Sequence, residues 1–84
     1  MTDVPESVTV EVRLGARLGS GRRRVRLPAG ATVGDLLAAL APELGRAEDE
    51  LAGVAVAVDG EVVGRDRVLR DGEAPALILP VAGG

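Results

Sequence analysis

The residues of this chain that could do chemistry fall in three places. The first is the end, Gly83-Gly84. Two residues without Cβ make the thinnest backbone available, able to thread a narrow channel and present a terminal carboxylate. The bland alternative is a frayed chain end, the ordinary fate of termini. The second is Arg22-Arg23-Arg24-Val25-Arg26, with Arg13 and Arg17 nearby. Such a cluster is a footprint for an acidic partner or for nucleic acid, or else a solvated strand edge whose charge blocks strand addition. The third is Glu43, Glu48, Asp49 and Glu50, crowded into one stretch. Carboxylates so placed could share a divalent cation or run acid–base chemistry. They lack EF-hand spacing and a second constellation, so a solvated loop is the expectation.

What the chain lacks narrows the field further. Its 84 residues contain no Cys and no His, and all ten basic residues are Arg. Disulfides, thiolate metal sites, cysteine nucleophiles, serine triads and lysine Schiff bases are therefore excluded. With no Phe, Trp or Tyr there is no platform on which bases could stack. The net charge is -3, and residues 1–30 hold six Arg against three acids while 31–84 hold four against ten. Nucleic acid is accordingly not expected as a partner. A self-contained enzyme is not expected either. The longest apolar run, Leu36 to Ala41, is too short to span a bilayer, so no membrane is expected. The start, Met1-Thr2-Asp3-Val4-Pro5-Glu6, carries acids where a secretory signal needs positive charge, which makes the cytoplasm the default location.

The elements that must position these residues are legible from periodicity. Val8, Val10, Val12 and Leu14 alternate with Thr9, Glu11 and Arg13, the pattern of a half-buried strand. Arg23 to Leu27 alternates again, with Val25 and Leu27 inward and Arg24 and Arg26 outward, and the glycine-rich residues 15–21 predict a hairpin between the two. Pro28-Ala29-Gly30 closes that strand. Thr32 and Asp35 form a capping-box start, and Val33, Leu36, Leu37 and Leu40 recur at helical spacing until Pro42 stops the run. Residues 43–53 are acidic and glycine-punctuated, with a helical turn at Glu48 to Leu51. Val54, Val56 and Val58 mark a third strand. Asp59-Gly60 suits a tight type I′ turn into the return strand Glu61-Val62-Val63. Residues 64–75 are turn-rich, and Ala76 to Leu79 is the last strand. The order β-β-α-β-β-β predicts an α+β, ubiquitin-like β-grasp: one helix across a mixed four- to five-stranded sheet. It forms a single domain over residues 1–84, with 80–84 as a flexible tail.

With these residues in view, the stretch Asp71-Gly72-Glu73-Ala74-Pro75-Ala76-Leu77-Ile78-Leu79-Pro80-Val81-Ala82-Gly83-Gly84 resembles, without a gap, the pattern D-G-D-E-V-A-F-F-P-P-V-A-G-G. That pattern belongs to the small, sulfur-carrying subunit of molybdopterin synthase. Val12 to Leu18 is similar to the family's first strand and turn, Pro28 to Leu37 to the start of its helix, and Val58-Asp59-Gly60-Glu61-Val62 to its hairpin. The resemblance implies a noncatalytic carrier. A ubiquitin-activating-like adenylyltransferase would use ATP on the carboxylate of Gly84, reached through Gly83, and sulfur transfer would leave a thiocarboxylate. The tail would then enter the large catalytic subunit and give sulfur to cyclic pyranopterin monophosphate. The chain itself would bind no cofactor and no metal. Its expected partner contacts are Val62 and Ile78 as an exposed apolar patch, with Pro80, Val81 and Ala82 along the tail; Val63, Leu77 and Leu79 would point inward. Gly15, Leu77, Ile78, Leu79 and Pro75 depart from the family's usual residues, and Pro75 is expected at a strand start or on an unpaired side because it has no ladder donor. The same resemblance leaves three alternatives open: a carrier for thiamine, cysteine or secondary-metabolite synthesis, a ubiquitin-like protein modifier, and a plain interaction domain.

Overall fold

The computed structural model describes residues 6–46, 48–51 and 53–79. Strand β1 (Ser7–Leu14) pairs antiparallel with β2 (Arg22–Pro28) across a loop holding one 3-10 turn, Ala16–Leu18. Helix α1 (Val33–Glu43) follows, then a second 3-10 turn, Glu48–Leu51. Strands β3 (Ala55–Val58), β4 (Glu61–Val63) and β5 (Ala76–Ile78) complete a five-stranded sheet in the order β2-β1-β5-β3-β4. β5 runs parallel to β1 and antiparallel to β3, so the sheet is mixed. This is the β-grasp arrangement that the element order predicts.

Alternation decides which face is covered. Val8, Val10, Val12 and Leu14 of β1, Val25 and Leu27 of β2, Val56 and Val58 of β3, and Leu77 of β5 are all buried on one side. α1 lays Val33, Leu36, Leu37, Leu40 and Ala41 against them. Removing these aliphatic side chains from water is the main force holding so small a chain together.

The helix begins where the capping box places it. The Asp35 N–H donates to Thr32 Oγ1 at 3.3 Å and the Thr32 N–H donates to Asp35 Oδ2 at 2.9 Å. Its end differs from expectation. Pro42 lies inside the last turn rather than beyond it, and the stop comes at Gly45. Gly45 has φ +67°, its N–H donates to Pro42 O, and the Arg46 N–H donates to Ala41 O. That pair of bonds is a Schellman closure, which needs a left-handed residue and so favours glycine. The hairpin turn behaves as read: Asp59 and Gly60 both have positive φ, 53° and 81°. β5 ends at Ile78, one residue short of the expected strand.

Candidate functional site

Between β4 and β5 the chain has no regular structure, yet it is tied down along its length. The Val33 N–H donates to Arg67 O, the Gly34 N–H to Arg65 O and the Leu69 N–H to Ala31 O, so the segment crosses the start of α1. Arg65 donates through both terminal nitrogens to the carbonyls of Val54 and Leu51, each at 3.1 Å. Further on, the Thr9 N–H donates to Asp71 Oδ1 at 2.7 Å and the Gly72 N–H to Thr9 O at 2.9 Å, stitching the segment to β1.

Arg67 and Glu73 lock this strap. The guanidinium donates to both carboxylate oxygens, at 2.7 and 2.8 Å, and the Arg70 N–H adds a third bond at 2.7 Å. The Arg67 hydrogen bond, more than any other cause, holds the Glu73 carboxyl down at about 2, against burial, which works the other way. Glu73 in turn raises the Arg67 guanidinium above its ordinary value. A carboxylate so committed to its anion is a structural lock, not a proton donor.

From the lock the chain enters β5 along a regular track. The N–H groups of Glu11, Arg13 and Gly15 donate to the carbonyls of Glu73, Pro75 and Leu77 at 3.0, 2.9 and 3.0 Å. Pro75 stands just before the strand, as its missing donor requires, and is buried. Gly15 sits close against this track: an added Cβ would stand 3.2 Å from Leu77 O.

The side chains of β5 then divide as alternation dictates. Leu77 is wholly buried and Leu79 packs partly on the core, while Ile78 is 50% exposed. Val62 is 75% exposed. Ile78 pairs with Ala55 and Val62 with Ala57, so both flank β3 on the uncovered face of the sheet. Val63 is half-buried on the other side. The structure thus brings Val62 and Ile78 onto one apolar face made shallow by Ala55, Ala57 and Ala76. Val68, in the strap, is a third exposed large apolar side chain, at 50%. It lies outside any periodic run, so the sequence carries no signal for its exposure. Beside the apolar patch, β1 and β2 place Arg13, Arg22, Arg24 and Arg26 on the same uncovered face. Gly83, Gly84, Pro80, Val81 and Ala82 lie outside the described residues.

Among the described residues no three potential metal ligands converge, and no helix is long and apolar enough to cross a membrane. What the described surface offers is one bare face, apolar over β3 to β5 and largely basic over β1 and β2. One helix packed on a five-stranded mixed sheet in the order β2-β1-β5-β3-β4 defines the ubiquitin-like class of proteins. The ThiS family profile matches residues 13–84, and the chain belongs to the ThiS family. Two solved structures are similar in sequence as well as fold. SAMP1, a small archaeal modifier protein of Haloferax volcanii, is 30% identical over 90% of this chain and 99% of that one, with a TM-score of 0.73. A Pyrococcus furiosus protein described as molybdopterin converting factor, subunit 1, is 29% identical over 88% of this chain and 99% of that one, with a TM-score of 0.75. Caldiarchaeum subterraneum ubiquitin, at 16% identity, 93% and 99% coverage and a TM-score of 0.68, shares the fold. A comparison with curated proteins gave no match. The chain is a ubiquitin-like sulfur carrier or modifier.

Proposed function

We propose that this chain carries sulfur for molybdopterin synthesis as the noncatalytic half of a synthase, with the terminal carboxylate of Gly84 as its working group. The observation that carries the reading is the ungapped run from Asp71 to Gly84, which begins at the strap, passes through β5 and continues into the diglycine. The family match that extends through residue 84 and the likeness to the Pyrococcus furiosus protein support it.

The chemistry follows from the carboxylate. Its oxygen is a poor leaving group, so the carboxylate first attacks ATP on an activating enzyme and pyrophosphate departs. A sulfur nucleophile then displaces AMP and leaves a thiocarboxylate. ATP belongs to the adenylyltransferase, and this chain holds no cofactor of its own. The large subunit supplies the groups that stabilise charge while sulfur moves to cyclic pyranopterin monophosphate. A carrier used in this way needs no His, Cys or Lys, and the chain has none. Val62 and Ile78 are the contacts through which the partners hold it, and the reaction is placed in the cytoplasm.

Intact-mass measurement tests the reading. Incubation with activating enzyme, ATP and a sulfur donor is expected to add the difference between sulfur and oxygen, and the gain is expected to vanish when large subunit and cyclic pyranopterin monophosphate are added. No gain sinks the carrier reading. A gain that persists with that acceptor reassigns the pathway, thiamine synthesis being the first alternative.

The likeness to SAMP1 favours a second reading, a modifier joined to lysines of other proteins. Having no Lys, the chain could not form polymers on itself. Trypsin cuts this chain last after Arg70, so the remnant Asp71–Gly84 on lysines of other proteins, lost when Gly84 is deleted, would mark that role.

A further inference from the structure

We infer that the open edge of β2, together with the groove between β2 and α1, binds an extended peptide in which acidic and apolar residues alternate, adding it to the sheet as a sixth strand. β2 is the terminal strand of the sheet, and no described element pairs with its outer side. The phase of the ladder is set at both ends: the Leu14 N–H donates to Gly21 O, and the Ala29 N–H to Glu6 O. Arg23, Val25 and Leu27 therefore turn their backbone groups toward β1, while Arg22, Arg24 and Arg26 turn theirs outward. An incoming strand finds outward donors and acceptors at those positions.

The two faces of such a strand meet different chemistry. On the uncovered face stand the side chains of Arg22, Arg24 and Arg26. Arg22 is engaged by Glu11 at 3.1 Å and Arg26 by Ser7 Oγ at 3.0 Å, whereas Arg24 has no ion-pair partner among the described residues. Acidic side chains directly opposite them make attractive cross-strand pairs. On the helix side lies a groove of about 500 Å³ lined by Leu27, Pro28, Ala29, Ala31, Asp35 and Ala39. Its apolar walls suit the alternate, aliphatic side chains. Asp35 at its rim repels a carboxylate, which fixes the face on which the peptide's acids must lie.

Charge complementarity selects this occupant over others. A second copy of the chain, pairing β2 to β2, would set two rows of arginine against each other. The opposite edge, β4, has three residues and carries one charge, Glu61, so an edge in this sheet is guarded without a basic row. The inference is independent of sulfur transfer, because peptide binding needs neither Gly84 nor ATP.

The test is a titration of isotope-labelled full chain with an end-blocked peptide of alternating Glu and Val, about eight residues long to match β2. Saturable amide shifts are expected along Arg22 to Leu27 and at Ala39, with slowed hydrogen exchange at the outward amides of Arg24 and Arg26. Arg24→Glu combined with Arg26→Glu is expected to weaken binding about tenfold or more, by turning attractive pairs into repulsive ones. Ala39→Glu, a helix-compatible change on the groove wall, is expected to weaken it separately. Four results would each overturn the inference: no saturable shift, equal binding of a Lys-Val peptide, shifts without slowed exchange at Arg24 and Arg26, or tighter binding of a single-stranded oligonucleotide at the same residues.

Discussion

The two sides of the sheet are built on opposite plans. The β1–β2 hairpin has seven paired positions in register and is joined by a local loop. Its bare face is covered by long arginines. The other side consists of β3, β4 and β5, of four, three and three residues, and its bare face is mostly alanine between Val62 and Ile78. Short strands cannot hold themselves, so this side borrows order from the core beneath, through Leu77 and Val56, and from the strap locked by Arg67 and Glu73. This face stays shallow and apolar because its rigidity comes from elsewhere.

That contrast is open to measurement. Leu77→Ala should be the most damaging single change, destabilising by about 2–5 kcal/mol in denaturant unfolding, because a wholly buried leucine is removed where β1, β5 and β3 meet. Val62→Ala, on the same side but exposed, should stay within about 0.5 kcal/mol. Similar losses from the two would erase the distinction between support and surface.

Glu73→Gln comes next, with a loss of about 2 kcal/mol at neutral pH from breaking charge-assisted bonds. Its pH dependence sharpens the case. The folded Glu73 carboxyl lies at about 2 against an ordinary 4.5, so its contribution is present above the ordinary value and fades as pH falls toward 2. The gap between the parent and Glu73→Gln should close over that window; a gap that stays constant would mean the charge is not what locks the strap. Below Glu73→Gln comes Arg22→Ala. Its pair with Glu11 is exposed on both sides, so the cost should be about 0.2–1 kcal/mol and should shrink in high salt.

Much of this architecture is written locally. The valines of β1, the Thr32–Asp35 box and the Asp59-Gly60 turn each specify their own element, and each forms where its residues say. The exposure of Val62 and Ile78 was legible for the same reason, since alternation beside buried Leu77 leaves them no other face. What could not be read depends on distant partners. The parallel pairing of β5 with β1 joins residues some sixty positions apart and has no local signature. Arg67 meets Glu73 only because an irregular strap folds them together. In the sequence Gly45 is indistinguishable from ordinary punctuation, because a Schellman closure is visible only once the helix end is known. The groove beside β2 has no signal in the chain at all, being made where two elements happen to diverge.

The parallel seating of β5 also has a mechanical side. Three carbonyls of the incoming chain, those of Glu73, Pro75 and Leu77, are held by β1, and β3 holds the strand from its other flank. Tension applied along β5 would load these bonds together, in shear, instead of peeling them one by one. An enzyme that hauls on this end would be pulling against a clamp, and the body of the molecule would follow intact.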